Sequence, residues 1–128
     1  MTEEDTRGVG GRFVVLEHRW RGVHWDFMLE RGGVLATWAL SAAPGPESEA
    51  EASPLPDHRL AYLDYEGPIS GDRGEVRRLD RGTYESIQWE EDRVVVRLLG
   101  DQVIGEAELL RGFGKGRCSW RFRMGKFI

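Results

Sequence analysis

Residues 12–40 read RFVVLEHRWRGVHWDFMLERGGVLATWAL, and their patterning decides the fold class. From Val23 onward the side chains alternate: Val23, Trp25, Phe27 and Leu29 fall on one side of an extended chain, and His24, Asp26, Met28 and Glu30 on the other. β-branched and aromatic residues dominate, and helical spacing is scarce. The segment parses as three strands, Arg12–His18, Val23–Glu30 and Gly33–Leu40, with hairpin turns at Arg19–Gly22 and at Arg31-Gly32-Gly33.

The same signature recurs further along. Leu60–Tyr65, Glu75–Leu79, Thr83–Trp89, Arg93–Leu99 and Val103–Leu110 read as strands, Ser119–Met124 as a closing strand, and Glu91-Asp92 as a tight turn. About eight strands in so short a chain leave costly open edges unless the sheet closes, so an all-β, compact antiparallel β-barrel is expected over residues 12–128. Residues 1–11 read as a flexible N-terminal arm. Ser41–Pro56, with four of the five prolines and an acidic Glu47–Glu51 centre, reads as a mobile surface loop within that single domain. Trp38 and Trp89 belong to the core. The glycine-rich stretch Ser70-Gly71-Asp72-Arg73-Gly74 reads as a turn, since no helix follows whose N-terminus could hold a phosphate.

The 128 residues are 40% hydrophobic, 31% charged and 10% aromatic, a composition that fits one globular domain. No apolar run approaches the roughly 20 residues that cross a bilayer, and the acidic opening Met1-Thr2-Glu3-Glu4-Asp5 is unlike a secretory leader. A cytoplasmic location without membrane contact is therefore expected, with a monomer favoured. The lone Cys118 excludes an internal disulfide and a cysteine-rich zinc module. The net charge is −4, yet residues 111–128 hold six bases and no acid. That tract, Arg111, Lys115, Arg117, Arg121, Arg123 and Lys126, suits a polyanion backbone and equally suits a solvated strand face.

Two of the three histidines fall within seven residues of each other, at His18 and His24, with Asp26 two positions further on. Alternation puts His24 and Asp26 on one side of their strand, and the hairpin brings His18 across from it. Two imidazoles and one carboxylate suit a divalent first-row ion such as Mn²⁺, Zn²⁺ or Fe²⁺ and leave coordination positions open for substrate. The same spacing also suits a plain hydrogen-bonded His–Asp pair beside a turn histidine. Trp20, in the turn, can stack on a terminal base or fold back onto the barrel.

The run Phe13–His18 with His24–Glu30 resembles the opening of the 3′-phosphoesterase domain of bacterial ATP-dependent DNA ligase D. The resemblance continues through Gly33–Leu40 and Asp57–Gly67, and more loosely through Asp80–Glu85, Ile104–Arg111 and Trp120. It implies a β-barrel with a metal and a phosphate in a polar cleft, acting on DNA or RNA 3′ ends in end-joining repair. It further implies that His18, His24 and Asp26 are manganese ligands and that His58 and Tyr62 bind phosphate and serve catalysis. The expected protein works alone or with separate ligase and polymerase chains. Met28 and Ala42 depart from the family's pattern, standing where its ligase-fused members carry an arginine that grips phosphate and a lysine. Arg19, Arg21 and Arg59 are the neighbouring cations that can supply the missing charge. A catalytically quiet barrel that binds nucleic-acid ends or a repair partner is the alternative that Met28 favours.

Overall fold

The computed structural model describes residues 10–114 and 117–125. Among the described residues nine strands form one antiparallel sheet: β1 (Gly10–Arg19), β2 (Val23–Arg31), β3 (Val34–Leu40), β4 (Glu49–His58), β5 (Gly67–Pro68), β6 (Glu75–Trp89), β7 (Arg93–Gly100), β8 (Ile104–Gly114) and β9 (Arg117–Met124). Their order is β1-β2-β3-β4-β9-β8-β7-β6-β5, and β1 also pairs with β6. Eight strands thus close into a barrel, and β5 is a short addition on β6. Closure answers the edge problem that the sequence poses. Among the described residues no helix is long and apolar enough to cross a membrane.

Alternation sorts the apolar side chains into two groups. Phe13, Phe27, Trp38, Leu40, Leu98 and Phe122 fill the barrel interior, where Phe27 meets Phe122 edge-on at 5.3 Å between ring centroids. Trp38 lies in that interior and Trp89 packs against it, as expected. Val14, Leu16, Met28, Leu35, Leu63 and Val76 form a second, smaller cluster on the other face of the same strands. A bulge at Leu79 divides the phases of β6, because Val15 faces Asp80 while Leu16 faces Arg78. Val76 can therefore join the outer cluster while Tyr84, also even-numbered, joins the interior. Asp80 beside the bulge is buried and accepts the backbone N–H groups of Asp101, Gln102 and Val103 at 3.0, 3.1 and 2.6 Å, which pins the turn between β7 and β8.

Four expectations are corrected. Gly10 and Gly11, read as part of a flexible arm, already pair with Glu85 and Tyr84; a Cβ on Gly10 would collide with the Tyr84 carbonyl, so the lack of a side chain serves close approach. Residues 1–9 of that arm lie outside the described residues. Residues 49–56, read within a loop over 41–56, belong to strand β4 (Glu49–His58). Its prolines are tolerated because β4 meets β9 only through Glu49–Ala52, so Pro54 and Pro56 sit where one side of the strand has no partner among the described residues. Leu60–Tyr65 is no strand: Leu60–Leu63 is a single 3₁₀ turn, closed by Tyr62 N–H to Arg59 O at 3.0 Å, and its i, i+3 pair Leu60 and Leu63 both pack on the outer cluster. Finally, the two strands expected over 75–89 are one continuous β6.

Candidate metal centre

The hairpin of β1 and β2 turns through Arg21 and Gly22, both at positive φ (56° and 109°), and sets His18 directly opposite His24 and Leu16 opposite Asp26. Paired and adjacent positions on one face are within side-chain reach. His18 Nδ1 lies 3.2 Å from His24 Nε2 and 3.6 Å from Asp26 Oδ2, and His24 Nε2 lies 3.0 Å from Asp26 Oδ1. Donors bound about 2.0–2.2 Å from one ion sit roughly 3.0–3.5 Å apart, so the three side chains suit a common cation. They sit on the outer face of the barrel. Ala39, opposite Asp26 on β3, lines the same space, and its small side chain leaves the carboxylate room.

Hydrogen bonding favours coordination over a simple pair. His18 Nε2 donates to the Arg73 carbonyl at 2.8 Å, so the neutral ring presents the Nδ1 lone pair toward His24 and Asp26. Asp26 is buried, and its Oδ1 has no hydrogen-bond partner although His24 Nε2 is close. Burial raises the Asp26 carboxyl above its ordinary range, and the charges of His24, His18 and His58 act against that rise. A buried carboxylate oxygen without a donor fits an electrophile supplied from outside the chain.

A cavity of about 350 Å³ opens over these groups. Trp20, His58 and Tyr62 line it together with His18, His24 and Asp26, so six of the nine residues singled out in the sequence converge. Trp20 folds back over His18, with ring planes 16° apart and centroids 6.2 Å apart, and remains 38% exposed. The Nδ1–H of His58 donates to the Pro56 carbonyl at 2.8 Å, and the ring meets Tyr62 edge-on at 5.5 Å. The walls are less polar than the resemblance implies: Leu16, Met28, Leu55, Ile69 and Val76 supply them.

The three arginines do not reach this cavity. Arg19 donates to Glu17 at 2.9 Å, Arg21 stacks over Trp20 at 4.9 Å, and Arg59 lines an adjoining pocket. Ala42 packs against the barrel interior. Met28 is buried in the cavity wall, where no oxyanion contact is available to a thioether. Of the basic tract, Arg111, Arg121 and Arg123 face Glu91, Glu49 and Glu108, on strands three or four steps round the barrel from β1 and β2. The side chain of Cys118 lies outside the described residues.

Sequence reasoning missed Arg73. Its turn, Ser70–Gly74, presses on the end of β1: Gly74 has φ 77°, and a Cβ there would run into the Arg19 carbonyl. The closely spaced Gly71 and Gly74 were the available signal, pointing to a backbone that approaches another rather than to a phosphate loop.

Comparison with known proteins identifies the family. The family model of the DNA ligase D 3′-phosphoesterase domain matches residues 16–111. The multifunctional non-homologous end joining protein LigD of Mycobacterium bovis is 36% identical over 122 residues, covering 88% of this chain. The LigD of Pseudomonas aeruginosa is 31% identical over 121 residues, covering 87% of it. The chain spans only 16% and 14% of the lengths of these relatives. The matched span contains every member of the His–Asp cluster together with Trp20, His58 and Tyr62, and the chain belongs to the DNA ligase D 3′-phosphoesterase domain family.

Proposed function

We propose that this protein is a divalent-metal-dependent phosphoesterase that removes phosphate or a terminal ribonucleoside from DNA or RNA 3′ ends during end-joining repair. The observation that carries the reading is the buried, donorless Oδ1 of Asp26, set within 3.0 Å of one imidazole nitrogen and beside a second. Mn²⁺ or Zn²⁺ held by His18, His24 and Asp26 would supply positive charge to a phosphoryl oxygen and acidify water. Asp26 contributes the only negative charge among the three ligands. His58, with Nδ1–H committed to Pro56, has Nε2 left to hold a phosphate oxygen or to protonate the leaving oxygen. The Tyr62 hydroxyl makes no hydrogen bond among the described residues and can donate to developing negative charge. Trp20 can stack on a terminal base, and Arg19 and Arg21 stand beside it on the hairpin turn.

The test is release of inorganic phosphate from a 3′-phosphorylated primer-template by purified protein with Mn²⁺ or Zn²⁺, abolished by chelator and by His24→Ala. No release with any divalent metal refutes the reading. A second reading, a quiet barrel that binds nucleic-acid ends or separate ligase and polymerase chains, rests on the buried Met28. It requires His24→Ala to bind 3′ ends as wild type does, and loss of end binding together with metal binding rejects it.

A further inference from the structure

Beside the metal cavity lies a second pocket of about 240 Å³, lined by Arg59, Ala61, Tyr62, Tyr65, Pro68, Ile69 and Ser70. Tyr62 and Ile69 line both spaces, so the two adjoin beside the 3₁₀ turn. Building on the phosphoesterase reading, we propose that this groove is a second nucleotide subsite, holding the nucleoside and internucleotide phosphate immediately upstream of the 3′-terminal one, and that Arg59 and Arg73 grip that backbone.

The charge pattern is the first argument. Arg12, Arg78, Arg81, Arg93, Arg97, Arg121 and Arg123 each lie within 4.0 Å of a carboxylate. Arg59 and Arg73 have no carboxylate that close among the described residues; Arg21, Arg31 and Arg77 share that property but line neither space. The acids flanking Tyr65 are already engaged, Asp64 with Arg81 at 3.2 Å and Glu66 with Arg78 at 3.9 Å. The groove therefore keeps positive charge that the acids beside it do not neutralise, which suits a phosphodiester.

The second argument is geometric. Arg73 Nε donates to the Ser70 carbonyl at 2.7 Å and Nη2 to the Ser70 hydroxyl at 3.3 Å, which holds the guanidinium where the metal cavity, lined by Arg73, adjoins the groove, lined by Ser70, with three N–H donors to spare. Arg59 stands on the far side of Tyr62 in sequence, at the start of the 3₁₀ turn. Tyr65 lines the same groove as Arg59, 37% exposed, its hydroxyl donating to the Pro68 carbonyl and its ring edge-on to Tyr62 at 5.8 Å. With the hydroxyl so committed, the ring face is what Tyr65 offers. Arginines and an aromatic ring along one groove are the elements that track single-stranded nucleic acid. Its consequence is selectivity for strand ends over free nucleotides.

The experiment compares Arg59→Ala, Arg73→Ala and the double variant with wild type and with Arg97→Ala, a surface control, all checked for fold by circular dichroism. Arg73→Ala keeps the backbone carbonyl on which His18 hangs. Anisotropy of a 5′-fluorescein, 3′-phosphorylated tetrathymidylate measures binding in chelator, and phosphate release is followed with that oligonucleotide and with thymidine 3′-monophosphate. Each single variant is expected to weaken oligonucleotide binding about tenfold and the double variant more, with a shallower salt dependence. The ratio of oligonucleotide to mononucleotide kcat/KM should fall about tenfold per arginine, and Arg97→Ala should match wild type. Equal losses on both substrates, or a double variant that binds the oligonucleotide as wild type does, overturn the subsite. If wild type releases no phosphate at all, the phosphoesterase reading falls, and the anisotropy arm still decides the groove.

Discussion

Asp26→Asn separates a metal ligand from a structural carboxylate. The amide keeps the shape and removes the only negative charge among three donors that lie 3.0–3.6 Å apart. Groups behind a metal ligand already carry about 10–100-fold of affinity, so loss of the anionic ligand itself should cost at least about 100-fold. With metal at 100 times the wild-type Kd, binding stabilises wild type by about 2.7 kcal/mol; a 100-fold weaker variant gains only about 0.4. The difference, about 2.3 kcal/mol, corresponds to roughly 7–12 °C in Tm for a domain of this size. In chelator at pH 8 the variant should be no less stable than wild type, because it no longer buries a charge with a donorless oxygen. Thermal unfolding by circular dichroism, with Mn²⁺ or Zn²⁺ and then with chelator, reads both quantities. A variant that gains as much Tm from metal as wild type, or that loses the same Tm with and without it, refutes the coordination argument.

Gly74→Ala, which drives a Cβ into the Arg19 carbonyl and displaces the Arg73 carbonyl from His18, should lower metal affinity about 10–100-fold by calorimetry; unchanged affinity in a folded variant would show that this contact does not orient the ring. Asp80→Ala removes the acceptor of three backbone N–H groups and should cost about 3–5 kcal/mol in urea unfolding, while a loss below 1 kcal/mol would mean that water replaces the carboxylate at little expense. Burial raises the Glu108 carboxyl, but the hydrogen bonds and charges of Arg93 and Arg123, at 2.6 and 3.0 Å, outweigh it and hold the carboxyl below its usual 4.5. Its stabilisation is therefore present above the unfolded value and lost as pH falls through the lower folded one. Glu108→Gln should be less stable by about 1 kcal/mol at pH 7 and converge with wild type below pH 4.5; a gap that persists at low pH assigns the effect to packing instead.

The hairpin bearing the His–Asp cluster is legible in the sequence because period-two alternation fixes both which residues face the core and which face each other. Once Phe27 and Leu29 are inward, His24 and Asp26 must be outward. What alternation leaves open is whether the outward face is solvent. Here it is roofed by Leu63, Tyr62 and Ile69, contributed by a 3₁₀ turn and a glycine-rich loop that carry no period of their own. Strand β4 is hidden for a related reason: its prolines and acids follow from one-sided pairing, which composition alone cannot distinguish from a loop. Arg73 is invisible because it acts on His18 through its carbonyl, a group every residue has. His58 and Tyr62, by contrast, come from the resemblance and not from any pattern.

The ligand strands serve two masters at once, with odd positions sealing the barrel and even positions building the cavity outside it. Substitutions in the roof at Tyr62 therefore leave the oily centre of the molecule untouched. Met28 is different: buried among Val14, Leu16 and Leu35, it ties the cavity wall to packed apolar side chains. An arginine installed there buries a charge in that cluster, so any gain in turnover comes with a lowered melting temperature.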